Sequence, residues 1–495
     1  MSLYKSFFKD TFFYGLASIT PRLVSFILVP IHTYVLSTAS YSVNTNFYVY
    51  AAFLNVILTF GLETSFFRYF TAEKEKDQVV STSTIMLAGG SLIFAVLAFP
   101  FSAEIAYFFG FDQPIIIQLL IGTVFFDTLV VIPFALLRVQ GNSIHFALLR
   151  ISNVLINLGL NIFLLMIVPH FSSGQWADLN WLSWLGDREA ETADIFTANL
   201  IASLITFAMC LKLYKRKISF DTIIFKKLLT YGLPIMVSGI AYTINENLDK
   251  LMIARLISPE ANGIYAGCYK LGVFMTIYIM AFRMGAEPFF FNQFGKENAK
   301  QSYSFVMTWF VLLACLCMLI VTGFIDFFAD ILLRQEAYKE ALPIVPVILM
   351  ANIMLGIYNN LGIWYKLTDK TRTGMYISIG GATLTILVLF VVIPLLGSIG
   401  GLDMTGLLIC VAISHLVVYT FMAGISYYMG QKTYPVPYET KKIMLYLLLS
   451  AIIALFFFYV TRGREFINVL IILLFVVWIA RKENLPGLIK DSNPS

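Results

Sequence analysis

The sequence predicts an all-α polytopic membrane protein with about 14 transmembrane helices, arranged as two pseudo-symmetric six-helix halves and a C-terminal helical hairpin. Three observations predict this fold class. Hydrophobic residues make up 59% of the 495 residues and charged residues 13%, and the mean hydropathy is +0.81. Apolar runs long enough to cross a bilayer recur along the whole chain. One block of residues at the end of the second run is repeated at the end of the eighth.

Each crossing of the hydrocarbon core needs about 20 mostly apolar residues. The runs are too long for barrel strands and lack period-two alternation, so helices must satisfy the backbone groups in lipid. The fourteen segments lie near residues 11 to 36, 46 to 69, 79 to 101, 114 to 137, 144 to 168, 194 to 213, 228 to 256, 263 to 288, 303 to 328, 342 to 365, 373 to 396, 402 to 428, 443 to 460 and 465 to 480.

The repeated block reads Gly-Leu-Glu-Thr-Ser-Phe-Phe-Arg-Tyr-Phe at 61–70 and Gly-Ala-Glu-Pro-Phe-Phe-Phe-Asn-Gln-Phe at 285–294. Gly, Glu and three Phe recur at identical spacing, 224 positions apart. The tripeptide Tyr-Gly-Leu recurs at 14–16 and 231–233, and proline recurs at Pro169 and Pro394. Such repeats in a polytopic membrane protein are typical of transporters whose halves move around a site between them.

Helices 1 to 6 pair with helices 7 to 12, and an even number per half means that both halves enter the membrane in the same direction. We expect the N-terminal half at 1–213, a basic cytoplasmic linker at 214–227 and the C-terminal half at 228–429. Residues 430–495 would form an appended hairpin, helices 13 and 14, and a cytoplasmic tail. This hairpin has no counterpart in either half.

The distribution of Lys and Arg predicts the orientation, because cytoplasmic loops retain positive charge. If the chain starts inside, the outward hairpins carry six of these residues, and the termini and inward loops with adjoining helix ends carry 25. We therefore expect both termini to be cytoplasmic. The net charge of +5 follows from this asymmetry, so it gives no reason to expect nucleic acid as a partner.

The five cysteines all lie inside predicted spans, and none has the CxxC spacing of metal ligands. We expect them to be small core residues, with no metal or cofactor. Lys5 and Lys9 precede a long first span that has no small-residue cleavage site, so we expect an uncleaved first helix.

Ionisable side chains inside the spans are candidate site residues, because each costs roughly 3 kcal/mol at mid-membrane on insertion scales. Arg22 follows Pro21 in helix 1, where Pro21 and Pro30 should bend or break the helix and free carbonyls near a cavity. Lys270 lies near the start of helix 8. Asp127, near the middle of helix 4, is a candidate for proton or ion coupling, and a hydrogen-bonded packing role is the alternative.

Helix 7 carries a polar cluster of Asn245, Glu246, Asp249 and Lys250. Glu246 and Lys250 are spaced i, i+4 and can form an ion pair on one face, which we favour over contact with a substrate. Asn245 and Asp249 share an adjacent face and are candidates for lining the cavity.

The cytoplasmic ends of helices 2 and 8 carry a second set of charged residues. Arg283 and Glu287 have i, i+4 spacing, and we expect a structural pair or an interface role. Glu63 and Glu287 are the equivalent acids of the repeated block. We interpret both as gate or packing residues and not as substrate ligands.

Helices 1 and 7 are equivalent through the repeat, as are helices 2 and 8, and equivalent helices should face one shared pathway. Arg22, Asp249 and Lys270 should therefore converge. Arg22 and Lys270 either line a polar central cavity or pair across helices with Asp249 or Asp127. A cavity with Arg and Lys in a low-dielectric wall suits an anionic substrate, above all a phosphate, which Arg binds through two hydrogen bonds.

Several segments resemble the polysaccharide-biosynthesis flippases of the multidrug/oligosaccharidyl-lipid/polysaccharide (MOP) superfamily. The resemblance spans roughly residues 10 to 428 and rests on the order of the segments, since no short motif is diagnostic alone. The segments are Ile132–Arg138 with Gly141 and Asn157 to Asn161, then Asp249-Lys250 leading to 263–266, then Asn359-Asn360 through 364–366 to Lys370-Thr371 and Ile393-Pro394.

The resemblance implies a flippase, not an enzyme, that exports undecaprenyl-diphosphate-linked oligosaccharide across the bacterial inner membrane by alternating access. The product would serve O-antigen (lipopolysaccharide), capsule or exopolysaccharide assembly. It also implies that helices 1, 2, 7 and 8 line a V-shaped cavity. The expected partners are the lipid-linked substrate and membrane lipids, together with a polysaccharide polymerase and a chain-length regulator.

Three alternatives remain open. The lipid II flippases of the same superfamily typically have more basic residues in the cavity helices than Arg22 and Lys270. The drug and cation antiporters usually have twelve helices, and the extra hairpin at 443–480 counts against them. A membrane glycosyltransferase or polymerase would need a large outward loop, and the longest here has about 25 residues.

Overall fold

The structure is a computed structural model that describes residues 3–169, 191–214, 219–368 and 370–483. Residues 215–218, near the start of the predicted linker, and the tail after 483 lie outside these ranges. The described residues are almost entirely helical and contain no β-strand. The predicted all-α fold class is therefore confirmed.

Fourteen long helices in the described ranges coincide with the fourteen predicted segments, and we number them in chain order. They are α1 Leu3–Val35, α2 Thr38–Ala72, α3 Lys76–Phe109, α4 Pro114–Val139, α5 Ser143–Ile167, α6 Thr192–Tyr214, α7 Thr222–Leu256, α8 Pro259–Gln293, α9 Ala299–Gly323, α10 Ile344–Leu367, α11 Thr371–Ser398, α12 Met404–Thr433, α13 Thr440–Tyr459 and α14 Glu465–Lys482. Two short helices, Ile325–Leu332 and Glu336–Ala341, lie between α9 and α10.

Twelve of these helices, α2 to α13, are long and apolar enough to cross a membrane. In α1, the apolar stretch Ile19–Val35 is shorter than the other spans. The last helix, α14, carries Glu465, Arg481 and Lys482 within its 18 residues. The protein is thus a multi-pass membrane protein in which the first and last predicted spans are the weakest by length and composition.

Helix α1 runs through Pro21 and Pro30 as one continuous helix. Of the two predicted effects of these prolines, a break is therefore wrong, and a bend stays a prediction. Transmembrane helices tolerate proline because neighbouring helices and side chains satisfy the backbone groups that proline frees. Here α1 packs along α5, where Val24 and Leu28 contact Val154.

The chain forms two compact units. The first contains Met1–Gly267 and Thr371–Met404, and the second contains Cys268–Lys370 and Thr405–Ser495. In the first unit α1 packs on α5, α7 packs on α11, and both α2 and α3 pack on α4. In the second unit α8 and α9 pack on α10 in the same way. Equivalent pairs therefore recur six helices apart, whereas the predicted domain boundaries at 213, 227 and 429 stay predictions.

The same irregularity occurs in α5 and α11. Phe163–Ile167 and Val388–Val392 each form a π-helical turn, and each turn is followed closely by a proline, Pro169 or Pro394. A proline cannot donate a hydrogen bond to the preceding turn, and a π-turn is one of the recognised ways in which a helix departs from regular geometry. The repeated prolines thus mark a repeated local structure.

Both copies of the repeated block build a hydrophobic core near a helix end. In the first unit Phe66 is fully buried against Leu62 and Val79. In the second unit the equivalent Phe290 packs against Tyr303. The conserved spacing of the aromatic residues within this one chain therefore corresponds to equivalent packing in the two units.

Candidate functional site

The two predicted substrate cations lie in different units. Arg22 is exposed on α1 in the first unit. Lys270 begins a 3₁₀ turn, Lys270–Gly272, that interrupts α8 in the second unit. Their predicted convergence with Asp249 stays a prediction.

The polar cluster of α7 is largely buried and internally bonded. Lys250 Nζ lies 3.2 Å from Asp249 Oδ1 and donates to the main-chain carbonyl of Glu246 at 2.9 Å. Asp249 is 1% exposed, so its charge is held away from water beside that of Lys250. Lys250 thus contacts the turn predicted from the i, i+4 spacing, and the carboxylate of Asp249 lies beside its ammonium group.

Asn245 joins α7 to α11. Its amide nitrogen donates to the carbonyl of Ser378 at 3.3 Å, and its amide oxygen accepts from the Thr385 hydroxyl at 2.9 Å. Both ends of the side-chain amide therefore serve helix packing in this structure. The predicted role of Asn245 in substrate binding stays a prediction.

A polar cavity of about 280 Å³ lies within the first unit, between α2, α4, α5 and α6. Two of the predicted residues, Asp127 and Glu63, line it together with two arginines that the sequence analysis did not select, Arg138 and Arg150. Its uncharged polar lining consists of Asn55, Thr59, Asn153, Asn199, Ser203 and Thr206. Charged, amide and hydroxyl groups thus surround one space inside an otherwise apolar unit.

The two carboxylates of the cavity have different partners. Glu63 on α2 forms an ion pair with Arg138 on α4, with Oε1 and Nη1 2.5 Å apart. Asp127 on α4 accepts a hydrogen bond of 2.7 Å from the Ser203 hydroxyl on α6. Each acid therefore joins two helices of the cavity wall, one through a guanidinium and the other through a hydroxyl.

Arg150 makes aromatic contacts in the cavity wall. Its guanidinium lies over the ring of Phe134, 4.8 Å from the centroid, and 6.0 Å from that of Phe146. Within the described part of the chain no carboxylate lies at ion-pair distance from it. Arg138 approaches the same Phe146 ring at 6.0 Å, so the two guanidinium groups flank one aromatic side chain.

A chain of amides continues from the cavity wall into α5. Asn157 donates to Asn199 at 3.1 Å, and Asn161 donates to the side chain of Asn157 at 3.0 Å. The Asn161 amide oxygen lies 3.1 Å from His32 Nε2 on α1. Because the Asn161 nitrogen already donates to Asn157, this contact requires a proton on Nε2 of His32.

The second unit contains an equivalent ion pair beside a much smaller space. Glu287 Oε1 lies 2.5 Å from Lys366 Nζ on α10 and 3.3 Å from Arg283 Nε, so the predicted i, i+4 pair is present in the structure. The adjoining space is only about 20 Å³. Phe310 fills this region, since its ring stacks on Tyr278 at 5.5 Å and lies 4.8 Å from Phe282.

Sequence signals for the missed residues exist but are weak. Arg138 lies 228 positions before Lys366, which is close to the spacing between the two copies of the repeated block. Because Glu63 and Glu287 are equivalent acids, the sequence could have suggested that each of them pairs with one of these two basic residues. Arg150 has no basic counterpart 225 positions later, where Met375 stands. Among the described residues no group of three His, Cys, Asp or Glu side chains has the arrangement of a metal site.

The fold is similar to that of solved membrane transporters. The lipid II flippase MurJ in its inward closed conformation aligns with a TM-score of 0.65 at 15% identity, over 95% of this chain and 99% of that chain. An inward-facing multidrug resistance MATE family transporter aligns with a TM-score of 0.58 at 13% identity, over 86% and 96%. A MATE transporter from Vibrio cholerae aligns with a TM-score of 0.58 at 15% identity, over 87% and 98%.

At these identities the structural similarity shows a shared fold. The family described as "Polysaccharide biosynthesis protein" matches residues 7–294, more than half of the chain, and the MatE family matches residues 234–392. The chain therefore belongs to the polysaccharide biosynthesis protein family, and the resemblance noted in the sequence is confirmed. No curated protein sequence matches the chain. Family and fold together indicate a transporter of the flippase type.

Proposed function

We propose that the protein is a flippase that moves undecaprenyl-diphosphate-linked oligosaccharide across the bacterial inner membrane by alternating access. The exported unit would enter O-antigen, capsule or exopolysaccharide assembly. The single observation that carries this proposal is the polar cavity of about 280 Å³ inside a unit of membrane helices in a chain of this family. Amides, hydroxyls and guanidinium groups are the hydrogen-bonding groups that a glycan requires, and lipid offers none.

The three parts of such a substrate need three environments. Arg22 and Lys270 are proposed to bind the diphosphate, because Arg and Lys are the usual protein partners of phosphate oxygens. The glycan would occupy the polar cavity, and the polyprenyl chain would remain in lipid. Asp249 and Asn245, both on α7, would line the substrate pathway, where Asp249 would supply a negative charge and Asn245 a hydrogen-bonding amide.

Energy coupling and assembly complete the proposal. Asp127 is the candidate for proton or ion coupling, since it lines the cavity and its main partner is a neutral hydroxyl. Both termini would be cytoplasmic, and membrane lipids would surround the helices. A polysaccharide polymerase and a chain-length regulator would receive the product on the outer side.

A second candidate is export of lipid II. It is favoured by the fold similarity to MurJ over 95% of this chain, which extends beyond the 86% covered by the MATE transporter. Lipid II also carries a diphosphate and a glycan, so Arg22 and Lys270 would have the same role. The two candidates differ in the glycan and must be separated with defined substrates.

The role of the two cations is testable in cells that lack the chromosomal copy of the gene. Arg22→Ala and Lys270→Ala should each abolish surface glycan while the protein remains in the membrane, because each removes one diphosphate ligand. Lys296→Ala, which changes an exposed lysine after α8, is the matched control and should leave surface glycan unchanged. Immunoblots of surface polysaccharide and of membrane fractions give the two readouts. Normal surface glycan in both Arg22→Ala and Lys270→Ala would contradict the assignment of these residues to the diphosphate.

A further inference from the structure

We propose that the first turns of α8 form a gate that closes the transport pathway where α8 begins, on the side that the proposed orientation places outside. This segment, Pro259–Tyr269, is called the α8 arm. A latch of Asn262 on Ser42 and Asn46 holds the arm to α2, and the turn Lys270–Gly272 is its hinge. The inference rests on the proposed function and names the contact that must break for the glycan to leave.

The latch consists of neutral groups buried between α2 and the α8 arm. Asn262 Nδ2 donates to the Ser42 hydroxyl at 2.7 Å and to Asn46 Oδ1 at 3.1 Å. Asn262 is fully buried, and Ser42 is 1% exposed. A Cβ on Gly263 would lie 1.8 Å from the carbonyl oxygen of Thr38, so the two backbones touch beside the latch. No substrate can pass between α2 and the arm at this level.

The latch joins equivalent points of the sequence repeat. Thr38, the first residue of α2, lies 224 positions before Asn262, which is the spacing between the two copies of the repeated block. When helix ends in a protein of two repeats meet their own counterparts, the contact lies at the axis that relates the repeats. A closed contact at this axis must open in each cycle of alternating access.

The hydrogen bonds of the latch suit a contact that opens repeatedly. Amide and hydroxyl groups exchange hydrogen bonds with water at a small net cost, whereas opening a buried ion pair separates two charges. The Oδ1 atom of Asn262 is buried and has no hydrogen-bonding partner among the described residues. A buried acceptor without a donor destabilises the closed contact, and water satisfies that acceptor when the contact opens. The latch is therefore closed but readily released.

The α8 arm is built to move as one rigid piece. The Ser258 hydroxyl accepts a hydrogen bond from the main-chain N–H of Ala261 at 3.1 Å, and Pro259 is the first residue of the helix. A serine cap followed by proline stabilises the start of a helix without help from neighbouring elements. Release of the latch therefore moves a helix and does not unfold one.

The turn Lys270–Gly272 separates the arm from the rest of α8, Val273–Gln293. Its 3₁₀ hydrogen bonds have poorer geometry than those of an α-helix, and such a stretch inside a long helix is typical of a hinge. The chain passes from the first unit to the second beside this turn, between Gly267 and Cys268. Lys270 is also the proposed ligand of the diphosphate. Substrate binding at Lys270 thus acts directly on the hinge of the gate.

The first test measures opening with Ser42→Cys, because cysteine is close to serine in shape and this position is buried in the closed latch. In cells whose surface glycan shows that the variant transports, a membrane-impermeant maleimide should label it several-fold faster when glycan synthesis is induced. Glu260→Cys, at an exposed position of the same arm, is the matched control and should be labelled rapidly in both conditions. Equally slow labelling of Ser42→Cys in both conditions would overturn the gate.

The second test releases the latch without substrate. Asn262→Ala removes both hydrogen bonds and Gly263→Ala forces the backbones apart, so each should make labelling of Ser42→Cys rapid before induction. Asn468→Ala is the control, because it removes a buried amide that donates to the Gly323 carbonyl at 2.8 Å, and labelling should stay slow. Slow labelling in Asn262→Ala, or rapid labelling in Asn468→Ala, would overturn the latch.

The third test locks the gate and separates its failure from that of the proposed function. In Ser42→Cys/Asn262→Cys, a short reducible cross-linker between the two thiols should stop transport in proteoliposomes in proportion to the linked fraction, and reduction should restore it. The two single variants, treated in parallel, should keep transporting. Transport by the fully linked protein would reject the gate and leave the flippase function intact. Absence of transport by the unsubstituted protein would reject the proposed function itself.

Discussion

Asp127 differs from the other acid of the cavity in the partner that holds it. Glu63 binds a guanidinium, whereas Asp127 accepts a hydrogen bond from the neutral hydroxyl of Ser203. A hydroxyl stabilises a carboxylate less than a cation does, so Asp127 is the acid whose charge is most open to neutralisation by a proton or a metal cation. This supports Asp127 as the coupling residue. The same hydrogen bond joins α4 to α6, so it is also consistent with the packing role that was the alternative.

The substitution Asp127→Asn separates charge from packing. The asparagine oxygen can still accept the Ser203 hydrogen bond, but the side chain can no longer gain or lose a charge. We expect transport driven by a pH gradient in proteoliposomes to fall to the rate measured without a gradient. Ser203→Ala is the control, because it removes the donor and keeps the carboxylate, and its stimulation by the gradient should persist. Stimulation that persists in Asp127→Asn would assign Asp127 to packing alone.

The residue scale is also where prediction from the sequence is least complete. Asp127 was selected because ionisable groups in apolar runs are rare, and Glu63 because it recurs as Glu287 in the repeated block, and both signals are visible in the sequence alone. Arg138 and Arg150 were not selected, because whether a helix-end arginine faces water or a cavity depends on the rotation and packing of four helices. The contact of Lys250 with Asp249 was not predicted either, because the i, i+4 rule for helical pairs does not apply to adjacent residues.

At the scale of the elements, one very close backbone contact of the first unit joins α2 to α7. Phe60 and Gly61 have positive φ angles of 50° and 64°, which bend the chain at the interruption of α2. A Cβ on Gly232 would lie 2.3 Å from the carbonyl oxygen of Phe60, and a Cβ on Gly61 would lie 2.4 Å from that of Gly232. The backbones therefore touch at a point where only glycine fits. Both glycines belong to the motifs that repeat along the sequence.

This contact predicts opposite effects for two Gly→Ala substitutions. Gly232→Ala should force α2 and α7 apart and destabilise the protein by about 1 to 3 kcal/mol, the usual cost of overpacking. Gly89→Ala on α3 is the control, because nothing lies within 4 Å of the added Cβ, and removing a helix glycine stabilises by up to about 1 kcal/mol. Thermal unfolding of the purified variants in one detergent measures both. A Gly232→Ala protein that melts at or above the wild-type temperature would show that the helices do not depend on this contact.

The elements themselves were well predicted from the sequence. All fourteen apolar runs became helices, because the bilayer requires every spanning segment to satisfy its own backbone and this requirement is local. The continuity of α1 through its two prolines, by contrast, could not be predicted from the sequence. Whether a proline interrupts a transmembrane helix depends on the neighbours that satisfy the freed groups, and α5 packs along α1.

At the scale of the whole molecule, the repeat is visible at three levels. The sequence block recurs, the π-turns of α5 and α11 recur with their prolines, and the ion pair of Glu63 with Arg138 recurs as Glu287 with Lys366. The space beside the second ion pair is only about 20 Å³, and Met375 stands 225 positions after Arg150. Repeated features therefore belong to the scaffold of each unit, and the unrepeated polar cavity is the part of the described structure best suited to select a substrate.

The central claim is that this scaffold moves a lipid-linked oligosaccharide, and reconstituted transport measures it most directly. Purified protein in proteoliposomes should move fluorescent undecaprenyl-diphosphate oligosaccharide from one leaflet to the other, measured by accessibility to a membrane-impermeant quencher. Parallel vesicles contain lipid II or a cationic drug, and vesicles without protein give the background. The account predicts protein-dependent movement of the oligosaccharide at a rate clearly above those of lipid II and the drug. Movement of lipid II at an equal or higher rate, or an oligosaccharide rate equal to the background, would contradict it.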